Sequence, residues 1–206
     1  MNAAALKHLA ASDPVIRRLI REFGPRRLKP ETRRSPFQSL VQAVAYQQLH
    51  SAAAGSILRR FIKLFPGRRF PRPEDLASVT NGQLRACGFS AAKVTSIRDI
   101  AEKTLAGVVP TSRQIVRLSD DEIIRRLTEV RGVGRWTVEM LLIFQLGRPD
   151  VLPADDFGVR TGFRYAYRKR ALPTVKELLA FGERWRPHRT TASWYLWQAA
   201  NSMKKK

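Results

Sequence analysis

The stretch Leu127-Thr128-Glu129-Val130-Arg131-Gly132-Val133-Gly134-Arg135-Trp136-Thr137 decides the fold. Apolar residues at helical spacing, Ile123, Ile124, Leu127 and Val130, run into it, and the apolar set Val138, Met140, Leu141, Leu142, Ile143 and Phe144 runs out of it. The two glycines permit a tight turn between two helices, because glycine enters positive φ without a Cβ clash. They also let backbone N–H groups come close to an anion at the start of the second helix, where the dipole favours negative charge. A DNA phosphate suits that arrangement. Further along comes Leu152-Pro153-Ala154-Asp155-Asp156-Phe157, a paired carboxylate in a weakly polar setting. A phosphate anchor followed by a positioned carboxylate points to an enzyme that works on DNA.

Composition agrees. The chain of 206 residues carries 38 Lys+Arg against 17 Asp+Glu, a formal net charge of +21. The excess is dispersed, at Arg17-Arg18, Arg26-Arg27, Arg33-Arg34, Arg59-Arg60, Arg68-Arg69 and Arg168-Lys169-Arg170. A generally basic surface kept for solubility is one explanation. A polyanionic partner is the stronger one for so large an imbalance, and nucleic acid is the commonest polyanion a soluble protein meets.

Cys87 is the only cysteine, which excludes a disulfide within the chain and an iron–sulfur cluster held by several thiolates. Its expected role is a buried, inert thiol. His8, His50 and His188 are far apart and form no zinc pattern. No apolar run reaches the length of a membrane span, and Met1-Asn2-Ala3-Ala4-Ala5-Leu6-Lys7 lacks a secretory core. Lys204-Lys205-Lys206 reads as a solvated tail. These features fit an intracellular protein of a reducing compartment, associated with DNA in the nucleoid of a bacterium or the nucleus of a eukaryote.

Helical signals dominate the rest. Asp13-Pro14 offers an N-cap and an N1 proline ahead of Ile16, Leu19, Ile20 and Phe23. Ser35-Pro36 repeats the device, with Gln38 at the capping-box position and Phe37, Leu40, Val41 and Val44 behind it. Ile57, Leu58, Phe61, Ile62 and Phe65 mark a helix stopped by Pro66-Gly67. Ser90 caps a helix bearing Val94, Ile97, Ala101 and Leu105. The helix Arg135 to Gln145 is apolar nearly all round and belongs in the middle of a domain. Pro173 begins another helix, and Thr190 or Thr191 begins the last, with Trp194, Tyr195 and Trp197. No sustained strand alternation or internal repeat appears. The expectation is an all-α domain of roughly ten short helices over residues 1–206. Two lobes are expected, roughly 35–115 in one and 1–34 plus 116–206 in the other, with the site in the cleft between them.

The motif set resembles the helix-hairpin-helix superfamily of DNA glycosylases, and within it the DNA-3-methyladenine glycosylase II branch. The hairpin and Leu152-Pro153-Ala154-Asp155-Asp156-Phe157 carry the resemblance. Tyr46-Gln47-Gln48-Leu49-His50-Ser51 looks like that branch's DNA-probing loop. Glu183-Arg184-Trp185-Arg186-Pro187-His188-Arg189, followed by Ala192 and Trp197, looks like its C-terminal signature. The likeness runs from about Asp13 to about Ala200. Some members carry an additional N-terminal β-rich domain; this chain is expected to lack one.

The resemblance makes Asp156 the catalytic carboxylate, the second of the pair. Cleavage of an N-glycosidic bond builds oxocarbenium character on the sugar, and a fixed negative charge stabilises it and helps deprotonate the incoming water. A helix N-cap with an acidic first turn is the competing role for such a pair, and it is assigned to Asp155. Trp136 stands where relatives that also cut the backbone carry a lysine able to form a Schiff base, so base removal without lyase activity is expected. Trp136, Phe157 and Trp197, with Tyr46 and Met140, are the base-pocket candidates, since aromatic faces attract a base made cationic by alkylation at purine N3 or N7. Position 140 is Met where some relatives have an aromatic. For each aromatic, core packing is the alternative.

Leu49 is a candidate wedge for the stack vacated by a flipped base, with Gln48 and His50 beside it at the minor groove; ordinary loop packing is the alternative. Gly132, Gly134 and Thr137 would hold a phosphate through backbone N–H groups. The resemblance also implies a monovalent cation, Na+ or K+, on the main-chain carbonyls of Thr128, Val130 and Val133; no cofactor is required. The expected partner is double-stranded DNA containing alkylated bases, bound by a monomer with no membrane involved. Two readings remain. A monofunctional glycosylase releasing 3-methyladenine and 7-methylguanine uses all of these residues; a non-catalytic DNA-binding module uses the charge and the glycines alone.

Overall fold

The structure is a computed structural model that describes residues 3–25 and 28–203. The Arg26-Arg27 pair and the Lys204-Lys205-Lys206 tail lie outside the described residues. The described chain is all-helical: α1 Ala3–Ser12, α2 Pro14–Phe23, α3 Pro36–Tyr46, α4 Ser51–Lys63, α5 Asn81–Ala86, α6 Ala91–Leu105, α7 Ser112–Ile115, α8 Asp120–Leu127, α9 Arg135–Phe144, α10 Phe157–Ala166, α11 Val175–Gly182 and α12 Arg189–Met203. Two 3-10 turns, Glu74–Ser78 and Glu183–Trp185, join them. The short α5 and α7, both opened by threonine capping boxes, had no clear apolar stripe to announce them.

The cap signals place the helix starts. Asp13 accepts the N–H groups of Val15 and Ile16 at 2.9 and 3.2 Å, Ser35 that of Gln38 at 3.2 Å and Ser90 that of Lys93 at 3.3 Å. Pro173 lies two residues before α11 and does not begin it: Thr174 is the cap, in a capping box with Glu177. Arg189, rather than a threonine, opens α12.

The chain divides into two compact units, Met1–Glu31 with Leu142–Lys206, and Thr32–Leu141. Residues 116–141, grouped with the termini by the sequence reading, therefore fall in the second unit. The physical reason is visible in the hairpin's bonds to α6: Asp99 accepts the Arg131 N–H at 2.6 Å, and Lys103 donates to the Glu129 carbonyl at 2.5 Å.

The first unit is built around Leu9, Ile16, Leu19, Val159, Phe163, Leu178, Trp185, Tyr195 and Leu196, all buried. In it α10 packs on α12 at glycine contact: a Cβ on Gly162 would run into the Leu196 carbonyl. Asp13, 1% exposed, also accepts the Tyr167 hydroxyl at 2.6 Å and the Trp185 indole N–H at 2.9 Å. One carboxylate thus caps α2 and ties it to two later segments. The second unit buries Phe37, Leu40, Val44, Leu58, Phe61, Phe89, Ile97, Ile100, Ile123 and Leu127, with Phe61 meeting Phe65, Phe70 and Phe89 edge to face.

α9 is less uniformly apolar in its surroundings than its sequence suggested. Val138, Leu142 and Ile143 are fully buried, but Trp136 and Phe144 near its two ends are exposed. Glu139 is buried and held by Arg135 at 3.0 Å.

Candidate active site and nucleic-acid interface

The hairpin lies in the second unit. α8 ends at Leu127, and successive short bonds carry the turn: Val130 N–H to the Leu127 carbonyl at 3.2 Å and Val133 N–H to the Val130 carbonyl at 3.0 Å. Gly132 has φ +77°, and a Cβ there would lie 2.5 Å from Ser96 Oγ. The turn therefore requires glycine at 132 for two separate reasons. Gly134 differs: its φ is ordinary and a Cβ would meet nothing within 4 Å. The positive φ anticipated for both glycines occurs only at Gly132. Gly132 and Gly134 are exposed, while the Thr137 side chain is buried. What Thr137 offers a phosphate is a backbone N–H in the first turn of α9, where intrahelical acceptors are lacking.

The probing loop also lies in the second unit, between α3 and α4. Gln48 has φ +56°, a left-handed conformation that few residues other than glycine adopt. Tyr46 and Leu49 are exposed to 43% and 41%, which removes core packing as the reason for either. His50 stands at the N-cap position of α4 without a side-chain bond to that helix. The amide of Gln47 donates to the Gly132 carbonyl at 2.9 Å, so the structure joins the loop to the hairpin directly.

Asp156 belongs to the first unit. The segment leading to it is pinned to the start of α12: Thr190 N–H donates to the Pro149 carbonyl at 3.1 Å, and Val151 N–H to Thr190 Oγ1 at 3.0 Å. Arg189 holds the Asp150 carboxylate at 2.9 Å and Arg186 reaches it at 2.7 Å. The segment Glu183–Arg189 is thus a clamp on the strap before the carboxylate pair. Burial and the nearby His8 ring hold the His188 imidazole below its usual range, against a smaller opposing pull from Asp150; the two rings meet edge to face at 5.4 Å.

The cap role assigned to Asp155 falls to Asp156. Asp156 Oδ1 accepts the Val159 N–H at 2.8 Å and opens α10, whereas Asp155 is 78% exposed and lies 3.9 Å from Arg160. The backbone explains the choice: the residue just before the first turn has the extended φ of −66° and ψ of 123° that lets its side chain fold back. The same Oδ1 also accepts the Trp197 indole N–H at 2.7 Å. A capping role therefore leaves Asp156 compatible with a catalytic one, because the cap bond holds one oxygen of the carboxylate in a fixed place.

Two residues that sequence reasoning missed support this pair. A Cβ on Gly158 would stand 2.9 Å from Trp197 Cδ1 and 3.1 Å from Asp156 Oδ1, so glycine admits the indole to the carboxylate. Phe144 stacks on Trp197 with ring centroids 5.6 Å apart and an interplanar angle of 26°, while remaining 44% exposed. A signal for Gly158 existed in the i, i+4 spacing of Gly158 and Gly162 on an otherwise apolar helix; none marked Phe144 apart from the apolar run. Phe157, at the start of α10, is 71% exposed, and Trp136 is 47% exposed. Met140 is partly buried.

The family model for HhH-GPD superfamily base excision DNA repair proteins matches residues 41–187. The chain belongs to this superfamily. It is 45% identical over 194 residues to DNA-3-methyladenine glycosylase 1 of Schizosaccharomyces pombe, covering 94% of this chain and 85% of that protein. The solved structure of a 3-methyladenine DNA glycosylase of Schizosaccharomyces pombe in complex with abasic DNA superposes with a TM-score of 0.82 at 44% identity, over 95% of this chain and 96% of the other. A DNA-3-methyladenine glycosidase of Bacillus halodurans superposes with a TM-score of 0.88 at 32% identity, over 100% of this chain and 93% of the other.

Cys87 is buried, which pushes its thiol above the usual range. Among the described residues no cluster of three His, Cys, Asp or Glu side chains is placed to hold a metal ion, and no helix is long and apolar enough to cross a membrane.

Proposed function

We propose that the chain is a monofunctional DNA glycosylase that hydrolyses the N-glycosidic bond of alkylated purines, 3-methyladenine and 7-methylguanine, in duplex DNA. The observation that carries this reading is the Asp156 carboxylate, oriented through one oxygen by the α10 backbone at 2.8 Å and the Trp197 indole at 2.7 Å. A preoriented negative charge stabilises an oxocarbenium-like sugar without reorganising during the reaction. The C1′–N bond breaks with its electron pair going to the purine, which neutralises the positive charge that alkylation placed there. Water adds at C1′, and its proton passes to Asp156 or solvent. The products are the free base and an abasic site in an uncut strand. Trp136 in place of an amine gives the chain no Schiff-base nucleophile at that position.

The base-recognition set is Trp136, Phe157, Trp197, Tyr46 and Met140. Exposure of Trp136, Phe157 and Tyr46 supports the role, since core packing does not account for them. Aromatic faces select a cationic purine over its neutral parent by roughly 1–2 kcal/mol per desolvated contact. Leu49 enters the vacated stack, with Gln48 and His50 on the minor-groove side. Gly132, Gly134 and Thr137 hold a backbone phosphate by N–H groups. The carbonyls of Thr128, Val130 and Val133 are hard oxygen donors within the hairpin, the donor type that suits a hard cation; a monovalent ion held there would add positive charge beside the phosphate. The protein acts as a monomer, wherever the cell keeps its DNA.

The test is base release from methylated duplex DNA at neutral pH with no added metal or nucleotide, followed by chromatography of the free bases. 3-Methyladenine above the buffer control is expected. No free base, with duplex binding retained, would overturn the reading in favour of a non-catalytic binding module.

A further inference from the structure

Helix α6 touches both DNA-directed segments of the second unit, although none of its residues belongs to either. Lys93 Nζ donates to the carbonyls of Ala45 at 2.9 Å and Gln47 at 2.8 Å, at the end of α3 and the start of the probing loop. Ser96 fills the space a side chain at Gly132 would need. Asp99 accepts the Arg131 N–H at 2.6 Å, and Lys103 donates to the Glu129 carbonyl at 2.5 Å. Lys93, Ser96, Asp99 and Lys103 recur at three- and four-residue spacing, so they share one face of α6 over about 15 Å. The Gln47 to Gly132 bond closes the triangle by joining loop to hairpin.

We propose that this face of α6 is a splint that sets the separation of the wedge from the phosphate anchor, and that Lys93 is its key positioning residue for base flipping. The inference rests on Leu49 being the wedge. The reason such a splint matters is geometric. Stacked base pairs repeat every ~3.4 Å, so a loop displaced by that much relative to the hairpin aims Leu49 at the wrong step. Gln48, held at φ +56° next to the carbonyl that Lys93 grips, is a backbone conformation that persists only when its surroundings fix it. Lys93 is partly buried, and burial lowers the pKa of its ammonium group, so two main-chain oxygens replace water around a charge that is costly to hide. A loop without a positional task would not need two separate attachments, one to α6 and one to the hairpin.

The alternative is that Lys93 only completes the C-terminus of α3, where a cation is favoured in any helix. The two roles separate experimentally. Lys93→Met, Lys93→Arg, Gln47→Leu and Leu49→Ala are compared with the parent protein on duplexes carrying 2-aminopurine beside a 7-methylguanine, paired with cytosine or opposite an abasic site. Fluorescence reports unstacking without requiring bond cleavage; anisotropy gives affinity and its salt slope, and thermal melts report folding. Lys93→Met is expected to reduce flipping and excision of the paired lesion roughly tenfold, as expected for losing charge-assisted hydrogen bonds. The salt slope and the rate on the unpaired lesion should stay near the parent's. Lys93→Arg, which can still donate to both carbonyls, should recover most of the loss. Lys93→Met combined with Leu49→Ala should be no worse than Leu49→Ala alone, because one acts through the other. Additive losses, or equal losses on paired and unpaired lesions, would overturn the splint. If Lys93→Met does not fold, Gln47→Leu carries the same comparison with Lys93 intact. Failure of the wedge reading is separately visible: Leu49→Ala would then not distinguish the two lesions.

Discussion

Alanine at Gly132 and alanine at Gly134 should fail in different ways. At Gly132 the backbone sits at φ +77°, and forcing an L-residue into the left-handed region costs about 1–2 kcal/mol. The new Cβ would also stand 2.5 Å from Ser96 Oγ. Ser96 is buried and donates to the Ala92 carbonyl at 3.1 Å, so it cannot move aside without breaking that bond, which adds about 1 kcal/mol. The sum, about 2–3 kcal/mol, corresponds to a drop in Tm of roughly 5–10 °C for a chain of this size. At Gly134 a Cβ has open space and an ordinary φ, so stability should change by no more than about 0.5 kcal/mol. The site that Gly134→Ala crowds is the approach of the phosphate, and duplex binding should weaken roughly tenfold, equally for every sequence. Thermal melts and fluorescence anisotropy on two unrelated undamaged duplexes measure both effects. A Gly134→Ala protein as unstable as Gly132→Ala, or one that binds DNA as tightly as the parent, would refute the division of labour between the glycines.

Gly158→Ala should slow base excision by roughly tenfold or more while leaving duplex affinity intact, because its Cβ would press on the Trp197 ring and on Asp156 Oδ1; a parallel loss of affinity in anisotropy titrations would contradict this. Single-turnover reactions should leave DNA that is cut only after alkali or an added endonuclease, and borohydride should trap no covalent complex; a trapped complex would show that another amine does what Trp136 cannot. Stability should fall on acidification below the usual imidazole pKa of 6.5: His188 has a folded value depressed by burial and by His8, so the unfolded chain binds the proton first and the neutral-His contribution is lost as pH drops through the folded value. Melts at pH 7.5 and 5.5 should diverge less for His188→Gln than for the parent, and an unchanged divergence would show that other groups carry it.

The sequence made the helices and the hairpin turn legible because their signals are local. Asp13-Pro14, Ser35-Pro36 and Ser90 announce caps through residues whose side chains bond the next turn, and each does so in the structure. The hairpin glycines announced a turn for the same reason. What the sequence concealed depends on pairing across distance. Asp155 and Asp156 are equivalent as a dipeptide, and only the backbone entering α10 decides which of them caps. Gly158 and Gly162 look like weak points of a helix until α12 lies against them. Phe144 reads as one more residue of an apolar run until Trp197 stacks on it. The unit boundary at 141/142 followed from contacts between α6 and residues 129–132 that no spacing rule encodes.

In the proposed mechanism the Asp156 charge, and not its cap bond, is what the chemistry uses. Asparagine caps a helix about as well as aspartate, and its side-chain oxygen can still accept from Val159 N–H and the Trp197 indole, so Asp156→Asn removes the charge while sparing the fold. Under single-turnover conditions on methylated duplex DNA, release of 3-methyladenine by Asp156→Asn should fall on the order of a hundredfold or more, with Tm and duplex affinity near the parent's and Asp155→Asn close to fully active. Equal losses in both variants, or an Asp156→Asn protein that excises at the parent rate, would contradict the account.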